Sequence, residues 1–227
     1  MIRLAENLQV FWSSKPEFVS EIAMRSGLKV EHLKAWAFGS AEPSLSELVA
    51  LAESLQVGLS HLLTGECRVL PPIRLLTLDV DGVLTDGSII LTENGDEIKR
   101  FFARDGRAIM SARKQGIEVA FISGGSHPRA ILERAHRLGV SRVHVGKEPK
   151  LQVLQQWLTE MGISMDEVAH IGDDANDLDL MGAVGFCACP GDAAPRNKEV
   201  ADLILRESGG RGCVREFIEL HLGVEAD

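Results

Sequence analysis

The sequence predicts an α/β fold with a doubly wound parallel sheet, preceded by a small all-α domain. Two observations support this prediction. From residue 73 onward, short apolar stretches alternate with amphipathic helical stretches. Residues 1–66 instead carry their apolar side chains at helical spacing. Pro71-Pro72 interrupts both patterns. We therefore expect an all-α domain at 1–66, a linker at 67–72 and an α/β domain at 73–227.

Strands and helices of the predicted α/β domain alternate along the chain. The predicted strands are Ile73–Leu78, Glu118–Ile122, Arg142–Val145, Val168–Ile171 and Gly185–Ala188. The predicted helices are Gly106–Gln115, Pro128–Leu138, Lys150–Met161, Asp174–Met181 and Val214–His221. Such alternation places ligands at the carboxyl ends of the strands.

One insertion departs from this alternation. Residues 88–92 and 97–102 read as two strands, and Asn94-Gly95 between them favours a tight turn. The predicted β-hairpin is either an edge feature of the sheet or a flap and subunit contact, and these alternatives stay open.

Composition limits the class of protein. The 227 residues are 45% hydrophobic and 25% charged, which is ordinary for a globular protein. No apolar run approaches the length of a membrane span and no leader pattern is present, so we expect a cytoplasmic protein. The four cysteines lack paired CxxC spacing, which argues against a zinc site or a disulfide scaffold. A net charge of -9 disfavours non-specific nucleic-acid binding by the whole protein.

The helical segment resembles the phage-repressor-like helix-turn-helix family. The resemblance is carried by Ser26-Gly27-Leu28 between the second and third helices, by Trp36 to Gly39, by Ser44 as a helix cap, and by Leu62 to Gly65. It implies that the third helix, Val30 to Phe38, would be presented to the major groove.

The charges of this segment disfavour a DNA reader. The polar candidates near the third helix are Lys29, Glu31, His32 and Lys34, and no arginine is available to bind guanine. Residues 1–70 contain six basic and eight acidic side chains. We therefore favour a folded accessory or dimerisation module, with DNA binding as the alternative.

Two carboxylates follow the first predicted strand. Asp79 and Asp81 lie two residues apart and precede Gly82, which permits a sharp turn. Side chains at the frayed end of a strand can converge on an ion or a phosphate. Asp-Gly also marks ordinary turns, so these residues alone leave both readings open.

Three later strand ends carry groups suited to phosphate chemistry. Ser123 and Gly124 offer a hydroxyl and backbone N–H groups for phosphate oxygens. Lys150 offers a fixed cation at the start of a helix. A second acidic cluster comprises Asp173, Asp174, Asn176 and Asp177. Clustered carboxylates favour an oxygen-seeking cation, and Mg²⁺ is the expected one.

The sequences DxDGxxTDG, Ser-Gly, Lys and GDDxND occur in this order and together resemble the haloacid dehalogenase-like superfamily, which has a Rossmann-like fold. The resemblance implies that Asp79 is the nucleophile and that Asp81 is the general acid and base. It implies that Asp79, the carbonyl of Asp81 and Asp173 bind Mg²⁺, with Asp174, Asn176 and Asp177 around them. Ser123, Gly124 and Lys150 would bind the phosphoryl group.

Ser123 follows Asp79 by 44 residues, and Asp173 follows Ser123 by 50, which leaves no room for a cap domain. Phosphoryl-transferring mutases of this superfamily generally need a cap to exclude water from the intermediate, so the lack of a cap favours hydrolysis over transfer. Another subunit or a large substrate would then cover the site. Residues 102–106 and 208–216 resemble the 3-deoxy-D-manno-octulosonate 8-phosphate phosphatases and their nonulosonate-phosphate relatives. This likeness implies a homotetramer through the hairpins, with Asp105 and Arg211 binding a sugar-acid substrate.

Gly125 departs from that family, which commonly has an arginine there, and Arg129 or Arg134 are candidates to replace it. Two other functions remain open. One is a sugar-phosphate-responsive DNA-binding regulator, and the other is a capless phosphatase acting on a different phosphorylated substrate, including a macromolecule.

Overall fold

The computed structural model describes residues 3–14, 17–65 and 67–225. The chain forms two compact units, one of residues 1–69 with 198–204 and one of residues 70–197 with 205–227. Glu66, the predicted end of the first domain, lies outside the described residues, and the predicted domain boundaries stay predictions. Among the described residues, the helices are too short or too polar to cross a membrane.

The first unit contains five helices: α1 Leu4–Ser14, α2 Phe18–Ser26, α3 Val30–Ala37, α4 Leu45–Leu55 and α5 Leu59–Thr64. Each contributes an apolar side chain to one core, and Leu8, Ile22, Leu33, Leu51 and Leu62 are all 0% exposed. This arrangement follows from the helical spacing of the apolar residues. The helical prediction for this region agrees with the structure.

Local signals set the ends of these helices. Ser44 accepts a hydrogen bond from the N–H of Glu47, and Glu47 in turn accepts one from the N–H of Ser44. This reciprocal pair is a capping box, so the predicted cap at Ser44 is confirmed. Gly27 ends α2 in a left-handed conformation, with φ of +72°, that glycine adopts at low cost.

The second unit is built on a sheet. Its strands are β1 Leu75–Leu78, β4 Glu118–Ser123, β5 Arg142–Val145, β6 Val168–Ile171 and β7 Phe186–Cys189. The full strand order is β5-β4-β1-β6-β7-β8, in which β8 Leu203–Ile204 belongs to the segment 198–204. Strand β1 pairs in parallel with β4 on one side and β6 on the other. The predicted parallel α/β fold is confirmed. The chain winds in opposite directions from β1, which creates a crevice at its carboxyl end.

Helices flank this sheet. They are α6 Ala103–Lys114, α7 Arg129–Leu138, α8 Lys150–Met161, α9 Leu178–Ala183, α10 Pro195–Val200 and α11 Cys213–Glu216. Helix α6 begins three residues before the predicted Gly106. A Cβ at Gly106 would collide with the guanidinium of Arg134 and press against Leu138, so close packing favours glycine at this position inside the helix. The predicted helix from Asp174 is instead a short turn, Ala175–Asp177, followed by α9.

The sequence reading missed α10 and β8. They have six and two residues, which is too short for a clear apolar period. The predicted hairpin is present but shorter than expected, with β2 Ile90–Leu91 antiparallel to β3 Glu97–Ile98. Its turn contains Gly95, whose positive φ of +83° explains the Asn-Gly signal.

Candidate active site

Strand β1 positions the first acidic pair. Asp79 directly follows the strand, is 3% exposed, and its N–H donates to the carbonyl of Ile171 at 3.0 Å. The chain then turns sharply, and Asp81 is half-buried. Gly82 has φ of +96°, and a Cβ there would collide with the carboxylate of Asp173. Only glycine lets the first acidic loop approach the later one so closely.

Lys150 connects the two acidic loops. It is the first residue of α8, and its side chain is 5% exposed. Its Nζ donates to Oδ1 of Asp79 at 2.7 Å and to Oδ1 of Asp177 at 2.6 Å. Burial opposes the charge on this amine, but the two carboxylates outweigh it and raise the pKa of Lys150. The lysine is therefore a buried cation whose single positive charge is shared by two acids.

Asp177 is fully occupied by hydrogen bonds. Its Oδ2 accepts the N–H of Asp173 at 3.1 Å, and its Oδ1 lies 3.1 Å from Nε2 of His170 as well as close to Lys150. Burial alone would raise the pKa of Asp177, but the hydrogen bond from His170 and the charge of Lys150 lower it below its ordinary value. Asp177 thus serves as a charged anchor behind the site.

The negative charges of Asp79 and Asp173 are less well compensated than that of Asp177. Burial and the charges of neighbouring aspartates raise the pKa of both carboxyls above their usual range, although Lys150 offsets part of the shift at Asp79. Oδ1 of Asp173 is buried with no hydrogen-bond partner. When Asp79, Asp173 and Asp177 are all ionised, Lys150 supplies one positive charge for three negative ones, so the cluster keeps an excess of negative charge.

These acids fit a divalent cation. One oxygen each of Asp79, Asp173 and Asp177 lie within 4.8 Å of one another. Carboxylate oxygens suit hard cations, and the unpaired oxygen of Asp173 points to such a ligand. Asp177 already uses both oxygens, so Asp79 and Asp173 are the better ligands. The predicted role for the carbonyl of Asp81 remains a prediction.

Most of the predicted catalytic and phosphate-binding groups line one cavity of about 270 Å³, which we call the carboxylate cavity, whereas Lys150 and Asp177 are buried beside Asp79 and are not part of its lining. It is lined by Asp79, Asp81, Gly87, Ser123, Gly124, Gly125, Asp173, Asp174 and Asn176. Ser123 is 1% exposed, and its Oγ accepts the N–H of Gly125 at 3.1 Å. The ends of β1, β4 and β6 and the loops that follow them therefore place acids, a hydroxyl and backbone N–H groups around a space suited to a phosphate.

Two residues of this region were missed by the sequence reading. His170 is 0% exposed, and its Nδ1 lies 2.9 Å from the hydroxyl of Thr77 while Nε2 faces Asp177. A histidine within an otherwise apolar strand was the available signal. Lys99 follows β3, and its Nζ donates to Oδ1 of Asp81 and to Glu97, both at 2.5 Å. Nothing in its spacing from Asp81 pointed to this contact.

Asp105 and Arg211, predicted to bind substrate, lie outside the carboxylate cavity. Asp105 is 1% exposed, and its Oδ1 accepts the N–H of Arg215 at 2.8 Å. Burial raises the pKa of Asp105 to about 6, partly offset by that hydrogen bond and by nearby arginines. In this chain its side chain therefore anchors the start of α11.

Arg211 lines a second cavity of about 320 Å³, which we call the arginine-lined cavity. Its lining consists of Phe102, Arg104, Arg206, Glu207, Arg211, Gly212, Arg215, Glu216, Glu219 and Leu220. The two cavities share no lining residue. Of the candidates to replace an arginine at Gly125, Arg134 donates to the carbonyl of Phe102, whereas Arg129 lines a groove beside the hairpin.

The C-terminal tail packs against the first acidic loop. The N–H of Gly210 donates to the carbonyl of Val83 at 2.9 Å, and the N–H of Gly209 donates to Asp192 at 2.9 Å. A Cβ at Gly209 would collide with the carbonyl of Gly82. The glycines of the tail are therefore required for this close contact.

The fold and these motifs define a haloacid dehalogenase-like hydrolase. Residues 144–217 match the family model described as haloacid dehalogenase-like hydrolase. The chain is 41% identical over 150 residues to 3-deoxy-D-manno-octulosonate 8-phosphate phosphatase KdsC of Escherichia coli K12, covering 66% of this chain and 79% of that protein. The chain therefore belongs to the family of these phosphatases, and it is a phosphomonoesterase.

Solved structures of phosphatases are similar to this chain in both fold and sequence. One is the same phosphatase of Moraxella catarrhalis in complex with magnesium ion, phosphate ion and KDO molecule, with 36% identity, a TM-score of 0.64, and coverage of 66% of this chain and 86% of that one. Another is the cobalt-bound enzyme of Haemophilus influenzae, with 34% identity, a TM-score of 0.65, and coverage of 68% and 86%.

Proposed function

We propose that this protein is a magnesium-dependent phosphatase that hydrolyses a 3-deoxy sugar-acid phosphate, either octulosonate 8-phosphate or a nonulosonate 9-phosphate. The observation that carries the proposal is the convergence of Asp79, Asp81, Ser123 and Asp173 on one cavity, with Lys150 behind them. The similarity to octulosonate-phosphate phosphatases supports the substrate class. The predicted cytoplasmic location belongs to the same proposal.

Asp79 is the proposed nucleophile. Lys150 binds its Oδ1, which leaves the other oxygen free to attack phosphorus. A bond then forms between that oxygen and phosphorus, and the bond to the sugar oxygen breaks with its electron pair remaining on the sugar. The product of this step is an aspartyl-phosphate. Ser123 and the N–H of Gly124 would hold the other phosphoryl oxygens.

Asp81 is the proposed general acid and base. It lies two residues from the nucleophile and lines the same cavity. Its proton would pass to the departing sugar oxygen, because an alkoxide is a poor leaving group. The resulting carboxylate would then remove a proton from water as the water oxygen attacks the aspartyl-phosphate. Phosphate leaves, Asp79 is regenerated, and Asp81 is protonated again.

Asp79, Asp173 and the carbonyl of Asp81 would hold Mg²⁺. The buried, unpaired Oδ1 of Asp173 and the raised pKa values of both aspartates favour a bound cation. When bound, Mg²⁺ supplies positive charge that offsets the repulsion between these carboxylates and the substrate phosphate. Asp174, Asn176 and Asp177 would orient this set of ligands.

The hairpin is the proposed tetramer contact. Its apolar side chains are exposed, with Ile89 at 72%, Leu91 at 62% and Ile98 at 50%. Association through them would remove apolar surface from water and bring other subunits near an otherwise uncapped site. The solution mass should equal that of four chains, and a monomer at micromolar concentration would contradict this part of the proposal.

A panel of phosphate esters tests the proposed activity. The full chain with Mg²⁺ would be assayed on octulosonate 8-phosphate, a nonulosonate 9-phosphate, glucose 6-phosphate and p-nitrophenyl phosphate by phosphate release. We expect kcat/KM to be at least about tenfold higher for one sugar acid than for glucose 6-phosphate. Failure to hydrolyse any ester with Mg²⁺ would refute the phosphatase assignment. Equal rates on acidic and neutral sugars would refute the substrate class only, and would favour a capless phosphatase of broader range.

The five helices are proposed to form a helix-turn-helix-like accessory module. The exposed positions of α3 include Glu31 as well as Lys34, and Nδ1 of His32 lies 3.6 Å from Oε1 of Glu47, so acidic and basic side chains share the face that would meet DNA. Phe38 is 79% exposed, which suits a protein contact better than a phosphate backbone. Titration with operator-like and random duplexes across salt concentrations decides this. Sequence-dependent binding would favour the alternative of a DNA-binding regulator.

A further inference from the structure

Lys99 is buried between two carboxylates at the base of the hairpin. Its side chain is 4% exposed, although lysine is rarely buried without a specific role. Its Nζ lies 2.5 Å from Oδ1 of Asp81 and 2.5 Å from Oε1 of Glu97. Burying an ammonium group is costly, and two charged hydrogen bonds compensate for that cost here.

The contact divides the two oxygens of Asp81 between two environments. Oδ1 is held by Lys99. Oδ2 faces the opposite side, because an ideal Cβ built on Gly125 would lie 3.7 Å from Oδ2 and 3.2 Å from the hydroxyl of Ser123. Gly125 and Ser123 both line the carboxylate cavity. The oxygen left free by Lys99 is therefore the one presented to the phosphate site.

Glu97 fixes Lys99 from the other side. Its Oε1 accepts the lysine, and its Oε2 lies 3.0 Å from Nδ1 of His127. His127 belongs to the loop that follows Ser123. The series Asp81, Lys99, Glu97 and His127 thus ties the first acidic loop and the hairpin to the phosphate-binding loop. A lysine whose ammonium group is already held by a second carboxylate loses little further conformational freedom when it orients Asp81.

We propose that Lys99 is a positioning residue for phosphate-ester cleavage: it binds Oδ1 of Asp81 so that Oδ2 faces the leaving oxygen. This inference rests on the proposed function, since it requires Asp81 to be the general acid. Proton transfer depends steeply on geometry, and a displacement of about 1 Å can cost on the order of 100-fold in rate. Lys99 itself touches no reacting atom.

Leaving groups of different stability separate positioning from phosphate binding. A sugar alkoxide needs a proton as it departs, whereas p-nitrophenolate is stable without one. The value of kcat/KM covers the steps up to departure of the leaving group. Loss of a well-placed Asp81 should therefore lower kcat/KM for sugar phosphates and leave it nearly unchanged for p-nitrophenyl phosphate.

The test compares wild type with Lys99→Met, which removes the charge and keeps a similar length. We expect kcat/KM for the best sugar-acid phosphate to fall about 10- to 100-fold, and that for p-nitrophenyl phosphate to change less than about threefold. Lys99→Arg retains the donors and should recover part of the loss. Lys147→Met, the same change at an exposed lysine, is the matched control and should match wild type.

Equal losses on both substrates would overturn the inference, because they would mean that Lys99 binds the phosphate directly. Unchanged activity on both would also overturn it. If circular dichroism shows that Lys99→Met does not fold, Glu97→Gln provides the test, because it weakens the hydrogen bond that holds Lys99. We expect the same selective loss of activity on sugar phosphates. If wild type hydrolyses neither substrate, the proposed function has failed, which is a separate result.

Discussion

The carboxylate cavity and the arginine-lined cavity use charge in opposite ways. Beside the first, Asp79 of its lining and the buried Asp177 share one lysine, so these acids are held by the protein itself. In the second, Glu219 pairs with Arg215, and Glu216 accepts the N–H groups of residues 206 and 207. Arg104, Arg206 and Arg211 line that cavity without an ion pair among the described residues.

This difference in charge suggests that one cavity is suited to catalysis and the other to binding an anion. A buried cluster whose acids are held by hydrogen bonds to one lysine suits bond making, because its groups keep a fixed geometry. Exposed arginines without acidic partners suit an external anion, which they bind through charge-assisted hydrogen bonds. A sugar-acid phosphate carries both a phosphate and a carboxylate. We therefore expect changes in the first cavity to affect every phosphate ester, and changes in the second to affect only acidic substrates.

The largest expected effect is that of Asp79→Asn. Turnover of both sugar-acid phosphates and p-nitrophenyl phosphate should fall at least about 1000-fold, because the amide cannot act as the nucleophile. Since burial already disfavours the charged form of Asp79, the melting temperature should stay equal or rise. Phosphate release and thermal melting check both parts. Retained activity on either ester would rule out Asp79 as the nucleophile.

Lys150→Met should destabilise the protein by removing the positive charge beside the carboxylate cavity. Asp79 and Asp177 would lose their shared cation, and an uncompensated buried charge costs about 3 to 5 kcal/mol in free energy of unfolding. Urea denaturation without metal measures this loss, with Lys147→Met as the exposed control. A loss below about 1 kcal/mol would show that the lysine is not needed to balance these acids.

Arg211→Met tests the arginine-lined cavity. We expect KM for the sugar-acid phosphate to rise about tenfold, since a hydrogen bond to a charged group contributes about 1.5 to 3 kcal/mol. The value of kcat/KM for p-nitrophenyl phosphate should not change. Arg137→Gln, at an exposed arginine paired with Glu133, is the control. A similar loss on both esters would mean that the two cavities do not act separately.

A pH-dependent effect on stability is expected for Asp105. Its folded-state pKa, about 6, lies above the ordinary value of 3.8. The folded state therefore binds the proton more tightly, and this contribution to stability is present below pH 4 and lost as pH rises through about 6. The free energy of unfolding of wild type, relative to Asp105→Asn, should fall by about 2 to 3 kcal/mol between these limits.

Urea denaturation of both proteins at pH 4 and pH 7 measures that difference. The comparison between variants cancels the titration of other groups. A difference that does not change with pH would show that Asp105 is not the buried acid responsible.

Sequence patterns predicted the parts of this molecule that depend on local order. Apolar runs followed by polar groups located four strand ends, two of them acidic, and parallel winding then required Asp79, Ser123 and Asp173 to meet. The helices of the first unit followed from apolar spacing, and the Ser44 cap from a short motif. These features need only neighbouring residues or the general rules of α/β folds.

The remaining features depend on contacts between distant segments. Lys150 was expected at the phosphate, and its pairing with Asp177 could not be read from a single helix start. Lys99 contacts Asp81 because of the register of the hairpin, which alternation alone does not set. Asp105 matched a family motif, yet burial and the N–H of Arg215 give it an anchoring role in this chain.

Gly82 has consequences for engineering this enzyme. The carboxylate of Asp173 meets it on one side and Gly209 meets its carbonyl on another, so three segments meet at a residue without a side chain. Libraries aimed at new substrates should leave Gly82 and Gly209 unchanged, because any larger residue there would separate the loops. Gly125 is the better position to vary, since a Cβ there would meet side-chain oxygens rather than backbone, the hydroxyl of Ser123 at 3.2 Å and Oδ2 of Asp81 at 3.7 Å.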